Sequence, residues 1–530
     1  MEITIDSLSF VLLGGTLLLS LVHLVLLRKP EPATHPLLLG QQSELARVRK
    51  LNESPAFISS AVGLGGVAKQ LLRGNKSIRE VWLGKDAKIM LGLGQTASEE
   101  SLEGKVLAIR EALQDEHGKE PLVIKLDDPA DAFVAILASN LLSPSKAPTA
   151  LNSTHSLGSY VTSPLVVSFA DLEAVQAITR SRRYDKLYII NSTRQGPQNP
   201  QPRSLDGWQC KTIYMDEAVQ SDATKVSSEA DTDSLQCGIR MSSISGLTEG
   251  HNELSPKSLI QGGVVSLLSI FPGDQRPSSA DRILSFENTS TPYGFTVALA
   301  AAASGATLRL CSSSRGIVSN SRTFSPSIIF CTPNELNAIR TSLRNALPSE
   351  GVIVPLAKAI KKSLLRSGSL SKTTFWDRYI FGKITQGVVG PRLKCIIVSA
   401  DEGNGPSNEC LEYLRIVLGV PIIVTLTHPL VAGPVSNTMY YDVQSFPSQG
   451  DLSHVGSPSA TVECKLVNVK EEDVAAGVYR GELVVKGPSV LRSSVSSGGS
   501  TEATVGVAWT RLGILAELQR NGTLRIIKPL

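Results

Sequence analysis

Short apolar runs separated by helix-length segments are the feature of this sequence that most constrains its fold. PLVIKL (121–126) has the composition of a buried strand, and ADAFVAILASNLL (130–142) follows it with the composition of a helix. The same couplet recurs along the chain. The other predicted strands are PLVVSF (164–169), KLYII (186–190), SIIFC (327–331), KCIIVS (394–399) and PIIVT (421–425). Strands that alternate with helices predict an α/β protein with largely parallel sheets.

The spacing of the strands changes after residue 435. Closer-spaced strands, such as TVECKLVNV (461–469) and GELVVKG (481–487), are divided by turn-rich segments there. We therefore predict a β-rich part over residues 436–530 and α/β lobes over 96–435. The predicted parts before them are an anchor at 1–29 and an amino-terminal, juxtamembrane extension at 30–95.

The amino terminus contains FVLLGGTLLLSLVHLVLL (10–27), an uncharged run near the lower length limit for a membrane-spanning helix. A cleaved signal peptide is the alternative, but Glu2 and Asp6 precede the run and no small-x-small cleavage site follows it. Basic residues follow the run, beginning with Arg28 and Lys29. By the positive-inside bias, the sequence predicts one transmembrane helix at about 9–27 and a body in the cytosol, with the endoplasmic reticulum as the expected membrane.

Composition excludes several classes of protein. A net charge of +4 over 530 residues does not indicate nucleic acid binding. The seven cysteines are scattered, without a CxxC pair, so neither a disulfide framework nor a zinc site is predicted. No pair of histidines has the spacing of a zinc peptidase, and no G-x-S-x-G frame indicates a serine hydrolase.

LAKAIKKSLLRSG (356–368) has the periodicity of an amphipathic helix. Lys358, Lys361, Lys362 and Arg366 fall on its predicted polar side. A solvated helix face and a helix lying on a membrane surface are both compatible with this pattern.

MSSISGLTEG (241–250) resembles a phosphate-binding loop, and the segments after it follow the order of the adenylate-forming superfamily, in particular its long-chain acyl-CoA synthetase branch. ILSFENTSTPYGF (283–295) is similar to that family's L-P-L-A-H segment. WDRYIFGKI (376–384) and LKCIIVSA (393–400) are similar to its Trp-Asp helix and its Ser-Gly strand, and WTRLGILAELQRNGTLRII (509–527) lies over its W-x-R-T-G-D-I motif.

The resemblance implies an acyl-CoA synthetase-like adenylation domain, with two α/β lobes and a distorted β-barrel. The chemistry implied is a ligation in which ATP and a carboxylic acid give an acyl-adenylate, which coenzyme A then captures. An active member would use ATP, Mg²⁺ and coenzyme A, and its ligand would be a fatty acid or acyl-CoA. The family continues into a small domain with a catalytic lysine, for which this chain, ending at Leu530, offers no counterpart. No catalytic residue is therefore assigned.

Within the phosphate-loop segment, Ser242, Ser245, Gly246 and Gly250 agree with the family pattern, whereas Glu249 replaces its lysine. A carboxylate about 4 Å from a phosphate would repel it by roughly 1–4 kcal/mol.

Departures also fall in the other nucleotide motifs. In VTLTH (424–428), Thr427 is retained, but Val424 replaces the adenine-stacking tyrosine and His428 replaces the Mg²⁺-binding glutamate. Ile514 stands where the family has a ribose-binding aspartate, and Thr291 stands at its L-P-L-A-H histidine. An isoleucine accepts no hydrogen bond, and neutral imidazole is a poor ligand for Mg²⁺. No metal ligands and no bound cofactor are therefore assigned.

These departures fall on nucleotide-handling positions, while segments with a packing role remain recognisable. The sequence thus favours a retained fold whose ATP chemistry has been lost, with a lipid-binding or scaffolding role. The alternatives are an active long-chain fatty acid–CoA ligase and a domain that binds an acyl chain or acyl-CoA without adenylating it. The sequence indicates no particular protein partner.

Overall fold

The structure is a computed structural model of the 530-residue chain. The residues it describes are 7–22, 36–60, 77–91, 98–114, 122–126, 128–142, 148–150, 165–168, 186–191, 209–214, 239–245, 248–312, 316–347, 353–401, 404–443, 454–493 and 509–529. FADLEAVQAI (169–178), which has the composition of a helix, and the acidic, polar segment SDATKVSSEADTDS (221–234) lie outside these ranges.

The helices and strands alternate through most of the chain, as the sequence predicts. The helices are α1 Ser7–Val22, α2 Pro36–Gly40, α3 Ile78–Trp82, α4 Leu102–Gln114, α5 Pro129–Leu142, α6 Val265–Leu268, α7 Pro292–Ala303, α8 Ile317–Phe324, α9 Pro333–Ala346, α10 Ile353–Arg366, α11 Gly382–Val389, α12 Asn408–Leu418 and α13 Glu471–Ala475. Three short turns of other helix types are Ser258–Val264 and Asp377–Phe381 (π) and Gly273–Gln275 (3₁₀).

The strands fall into a set before residue 255 and a set after residue 280. The first set is β1 Ser43–Arg47, β2 Ala56–Ser59, β3 Lys88–Leu91, β4 Ser98–Ser101, β5 Val123–Lys125, β6 Thr149–Ala150, β7 Leu165–Ser168, β8 Lys186–Asn191, β9 Gln209–Tyr214, β10 Ile239–Ser245 and β11 Thr248–Leu254. The second set is β12 Arg282–Ser285, β13 Thr307–Leu310, β14 Ile328–Cys331, β15 Cys395–Ala400, β16 Ile422–Leu426, β17 Ser436–Asn437, β18 His454–Pro458, β19 Glu463–Val467, β20 Tyr479–Lys486, β21 Arg492–Ser493, β22 Thr510–Leu518 and β23 Leu524–Pro529. The six strands predicted from apolar runs are confirmed as β5, β7, β8, β14, β15 and β16.

A sheet of fifteen strands runs through most of the molecule, and its order is β1-β2-β19-β20-β22-β23-β18-β17-β16-β15-β14-β12-β13-β3-β4. The strands from β16 to β3 in this order are parallel to one another. Every residue of β14 and of β15 is buried, which is the pattern of parallel strands covered by helices on both faces. Thr332 and Glu335 form a capping box at the start of α9, directly after β14.

The other half of this sheet is antiparallel. β17 pairs with β16 on one side and with β18 on the other, and β18 through β20 continue the antiparallel ladder with β22 and β23. β1 and β2, from near the amino end of the chain, add two strands beside β19. The described part of residues 30–95 thus contributes strands to both halves of this sheet.

A second sheet of eight strands has the order β21-β11-β10-β6-β5-β7-β8-β9. Its central strands are parallel, and β10 and β11 form an antiparallel hairpin at one side. One apolar core includes side chains from both sheets. Phe133 of α5 and Phe295 of α7 meet in this core, with their ring centroids 5.4 Å apart. This two-sheet α/β arrangement agrees with the predicted fold class.

The prediction of a membrane-spanning anchor at residues 9–27 is wrong. Among the helices that the structure describes, none combines the length and the apolar character needed to cross a bilayer. α1 has 16 residues. At 1.5 Å per residue these 16 described residues span about 24 Å, less than the hydrocarbon core of about 30 Å. The single-pass topology and the assignment to the endoplasmic reticulum, which rested on this anchor, are corrected with it.

The amphipathic helix is confirmed as α10, but one residue of its predicted polar side lies elsewhere. Lys361 is buried, and its Nζ forms an ion pair with the buried carboxylate of Asp377. The 3.6-residue periodicity of the helix predicts Lys361 on the polar side with the other lysines. Periodicity within one helix cannot show its burial, because the carboxylate that neutralises Lys361 comes from a separate segment of the chain.

Candidate functional site

The parallel half of the large sheet has a topological switch point. The chain leaves β12 to form β13 on one side, and it then returns to form β14 on the other side. Ligands of open α/β sheets bind outside the carboxyl ends of the strands at such a point. Glu287 follows β12, Thr332 follows β14, Asp401 follows β15, and Thr427 and His428 follow β16. These residues define the candidate site.

Glu287 has the most unusual environment in the site. It is 8% exposed, and its Oε1 has no hydrogen-bond partner among the described residues. Burial raises the pKa of this carboxyl to about 7, repulsion from Glu335 and Asp401 adds to the shift, and the nearby Ser399 hydroxyl opposes it. Sequence analysis did not single out Glu287. The available signal was an acid inside the otherwise uncharged segment ILSFENTSTPYGF.

Glu335, whose charge acts on Glu287, is a second buried acid and lies three residues after Thr332. Its Oε2 accepts a hydrogen bond of 3.1 Å from the backbone N–H of Thr332, and the Thr332 hydroxyl also contacts it. The carboxylate therefore caps α9 and fixes the way in which the chain leaves β14. This structural role accounts for its burial.

A hydrogen bond between buried side chains crosses the core behind the site. The Tyr293 hydroxyl and Thr425 Oγ1 lie 3.1 Å apart, and the Thr425 hydroxyl also donates to the carbonyl of Val398 at 3.2 Å. Burial and the neighbouring Glu287 raise the pKa of Tyr293. The contact joins the first turn of α7 to β16, so the segment that carries Glu287 is held against the end of the sheet.

The predicted phosphate loop lies in the other sheet, as the β10–β11 hairpin. Ser242 and Ser245 belong to β10, and Glu249 and Gly250 belong to β11. Gly246 lies outside the described residues. Ladder pairing continues as far as Ser245 opposite Thr248, so that two residues separate the strands. A phosphate cradle uses successive backbone N–H groups in a loop. Between these two paired strands, only two residues remain to form such a loop.

The positions that the sequence predicts to replace the adenine-stacking tyrosine and the ribose-binding aspartate of the family are both in the apolar core. Val424 and Ile514 are 0% exposed and belong to one cluster of buried side chains. Leu512, on the same strand as Ile514, is buried in that cluster as well. These side chains offer no hydrogen-bonding group to a nucleotide.

Thr427 and His428 remain at the end of β16, but their polar atoms are engaged. The backbone N–H and the hydroxyl of Thr427 both donate to the carbonyl of Ala400, at 2.8 and 3.2 Å. Nδ1 of the buried His428 accepts from the N–H of Leu430 at 3.1 Å. Val424 pairs with Val398 of β15, and Ala400 pairs with Leu426. Thr427 and His428, which follow Leu426, therefore lie beside the end of β15.

The remaining predicted position, Thr291, caps a helix. Its hydroxyl accepts from the N–H of Gly294 at 3.1 Å, which begins α7. Asp377, after Trp376, braces its turn, because it accepts hydrogen bonds from Thr374 and from Lys361. Within the described ranges, no group of three or more His, Cys, Asp or Glu side chains is arranged to hold a metal ion.

Comparison with solved structures defines the class of domain. An adenylation domain from Vibrio cholerae, in complex with glycyl-adenosine-5'-phosphate, superposes with a TM-score of 0.58 at 13% identity, over 86% of this chain and 79% of that chain. A long-chain-fatty-acid-CoA ligase from Archaeoglobus fulgidus superposes with a TM-score of 0.56 at 11% identity, over 87% of this chain and 85% of that chain. The chain therefore has the fold of the adenylate-forming enzymes.

Sequence comparison points to one branch. Over 176 residues the chain is 30% identical to the human long-chain-fatty-acid–CoA ligase 1. The matched region covers 33% of this chain and 24% of that protein. It is 26% identical over 213 residues to a palmitoyl-CoA ligase of Gibberella moniliformis, with 38% and 30% covered. The matches thus span about a quarter to a third of the curated relatives. No protein-family model matches the chain. The resemblance to the adenylate-forming superfamily, with long-chain acyl-CoA ligases as relatives, is confirmed.

Proposed function

We propose that this chain is a long-chain acyl-CoA synthetase-like protein that has lost ATP-dependent adenylation. Its proposed role is to bind a lipid or to act as a scaffold. The observation that carries the proposal is the packing of Val424 and Ile514. Both are fully buried in one apolar cluster. Because the resemblance assigns these positions to the base and the ribose, a bound nucleotide would leave ribose hydroxyls unpaired, at a cost of about 1–3 kcal/mol each.

The charges of the candidate site also support the loss of ATP binding. Glu249 places an acid in the hairpin where the family has a lysine. Glu287, Glu335 and Asp401 gather at the switch point. A triphosphate carries several negative charges, which need cations or amide donors to balance them. An acidic surrounding opposes such a ligand.

The proposed ligand class comes from the relatives. Their names describe ligases of long-chain fatty acids and of palmitate with coenzyme A. A domain that retains the fold without the nucleotide contacts could still hold the acyl part of such a ligand. We therefore propose a long-chain fatty acid or its coenzyme A ester as the ligand.

The test is made with the full chain in mild detergent. We expect no pyrophosphate from ATP, Mg²⁺ and palmitate, under conditions in which the human ligase produces it. Palmitoyl-CoA should raise the melting temperature, whereas ATP and free coenzyme A should not. Coenzyme A is the matched control, because it contains the nucleotide part without the acyl chain. Palmitate-dependent pyrophosphate release would show an active ligase and overturn the proposal.

A further inference from the structure

A small pocket lies between α10, the segment that follows it and α12. Its lining includes Lys361 and Leu365 of α10, Leu370 of the segment, and Arg415 and Ile416 of α12. Leu365, Leu370 and Ile416 pack together as an apolar wall. The pocket has a volume of about 10 Å³, which is room for about one particle of the size of a water molecule. Apolar walls screen charge poorly, so an ion in this pocket interacts strongly with a charged side chain beside it.

The three elements pack closely around the pocket. Gly419 caps the carboxyl end of α12 with a positive φ of 64°, and a Cβ at this position would lie 2.5 Å from the carbonyl oxygen of Ser371. The segment after α10 therefore passes directly over the end of α12. Lys362 of α10 also pairs with Glu412 of α12, at 2.9 Å. These contacts fix the walls of the pocket relative to each other.

Two buried cations line the pocket, and they differ in how their charge is balanced. Lys361 and Arg415 are each 5% exposed, and Lys361 forms its ion pair with Asp377. Arg415 donates from Nη2 to the carbonyl oxygen of Ile422 at 2.9 Å, whereas its Nε has no hydrogen-bond partner among the described residues. Asp442 acts on Arg415 electrostatically but, in the described part of the chain, forms neither a hydrogen bond nor an ion pair with it.

A guanidinium group remains charged even when it is buried. Burial lowers the pKa of Arg415, and the charge of Asp442 opposes that shift. Asp442 itself accepts a hydrogen bond from Gln42 at 2.9 Å and lies 3.5 Å from Nε2 of His454. The carbonyl of Ile422 satisfies one N–H group of Arg415 but carries no net charge. Arg415 is thus a buried cation whose charge is incompletely balanced, which is unfavourable unless an anion lies beside it.

We propose that this pocket binds one small inorganic anion, of the size of chloride, against the guanidinium of Arg415. The anion accepts charge-assisted hydrogen bonds from the guanidinium N–H groups. With room for about one water-sized particle, the pocket excludes sulfate, phosphate and the carboxylate of a fatty acid. A water molecule fits the same space but leaves the charge unbalanced.

The pocket is separate from the candidate site. Arg415 contacts Ile422, the first residue of β16, whereas Thr427 and His428 of the candidate site follow the carboxyl end of that strand. The proposal therefore does not rest on the proposed function, and a ligase that adenylates a fatty acid is as compatible with it as one that does not.

The direct test is the line width of the chloride NMR resonance in a solution of the full chain. Chloride that exchanges with a site on a protein gives a broadened resonance, so the unmodified chain should broaden it. Bromide should remove the excess broadening by competition, whereas sulfate at equal ionic strength should leave it unchanged because sulfate is too large. Displacement by sulfate would overturn the proposal. Replacing gluconate with chloride at constant ionic strength should also raise the melting temperature until the site is filled.

Arg415→Met removes the charge and keeps an unbranched side chain. It should abolish the excess broadening and the chloride-dependent rise in melting temperature. The matched control is Arg520→Met, at an exposed arginine after β22. It changes the net charge equally and should behave as the unmodified chain does. Equal broadening by the two variants would contradict a site at Arg415.

Crystals of the unmodified chain grown with bromide give a test that requires no variant to fold. An anomalous peak beside the guanidinium of Arg415 is the expected result. A pocket that holds water alone, with no such peak, would show that the charge of Arg415 is tolerated without an anion and would overturn the proposal.

Discussion

Lys361 and Asp377 form an ion pair that is almost fully enclosed, with the two residues 5% and 6% exposed. The carboxylate also accepts a hydrogen bond of 3.1 Å from the N–H of Thr374. Burial lowers the pKa of Lys361, and Asp377 counteracts this shift. The pair therefore stabilises the charged form of a lysine that the surrounding core would otherwise neutralise.

Removing one member of this pair should destabilise the fold strongly. Lys361→Met leaves Asp377 buried without its cation, at an expected cost of about 3–5 kcal/mol in the free energy of unfolding. The double variant K361M/D377L should lose less than Lys361→Met alone. The control is Lys362→Met, which removes a more exposed ion pair with Glu412 and should cost less than about 1 kcal/mol. Urea unfolding measures all three variants, and equal losses for Lys361→Met and Lys362→Met would contradict the prediction.

Glu287 should make the stability of the protein depend on pH. The pKa of its carboxyl is about 7 in the folded protein, above the ordinary value of 4.5. The unfolded chain therefore ionises first, and stability should fall as the pH rises from about 4.5 to about 7. The contribution is on the order of 3 kcal/mol.

Glu287→Gln should remove this part of the pH dependence and stabilise the protein at pH 8 relative to the unmodified chain. The matched control is Glu472→Gln, at an exposed glutamate of α13. Urea unfolding at pH 5 and at pH 8 gives the difference. An unchanged slope in Glu287→Gln would show that another group carries the pH dependence.

An aspartate at position 514, where the resemblance predicts one, should damage the fold and should not create nucleotide binding. Ile514 is 0% exposed, so Ile514→Asp would place an unpaired carboxylate in the core, at a cost of several kcal/mol. Ile514→Val is the control, with an expected cost of about 0.5–1.5 kcal/mol. Calorimetry with and without ATP reports both effects. A stable Ile514→Asp variant whose melting temperature rises with ATP would show that the pocket tolerates a nucleotide.

The buried cysteines should be poor nucleophiles. Burial raises the pKa of the Cys395 thiol to about 12 and that of Cys410 to about 11. At pH 8 the reactive thiolate of Cys395 would be about one part in ten thousand. We expect iodoacetamide to label these two residues only after denaturation, as read by peptide mass spectrometry. Rapid labelling of Cys395 in the folded protein would contradict this prediction.

The strands were predictable from the sequence because continuous apolar runs mark parallel strands that are buried on both faces. The environments of Lys361 and Glu287 were not predictable in this way. The partner of Lys361 lies on another element, and the acids near Glu287 follow other strands, so neither contact has a local periodicity. MSSISGLTEG (241–250) was wrongly predictable from its composition, which is typical of a loop. In the structure its residues form two paired strands, and the pairing reaches Ser245 and Thr248, near the middle of the segment.

The two amino-terminal strands beside β19 set a practical limit on truncation. Gln42 donates to the carbonyl of Asn521 at 2.8 Å, and Ser54 donates to that of Leu466 at the same distance. A fragment that starts after residue 60 would lose both strands and expose one side of β19, which is a template for aggregation. A shortened form of this protein for biochemical work should therefore begin before Gln42.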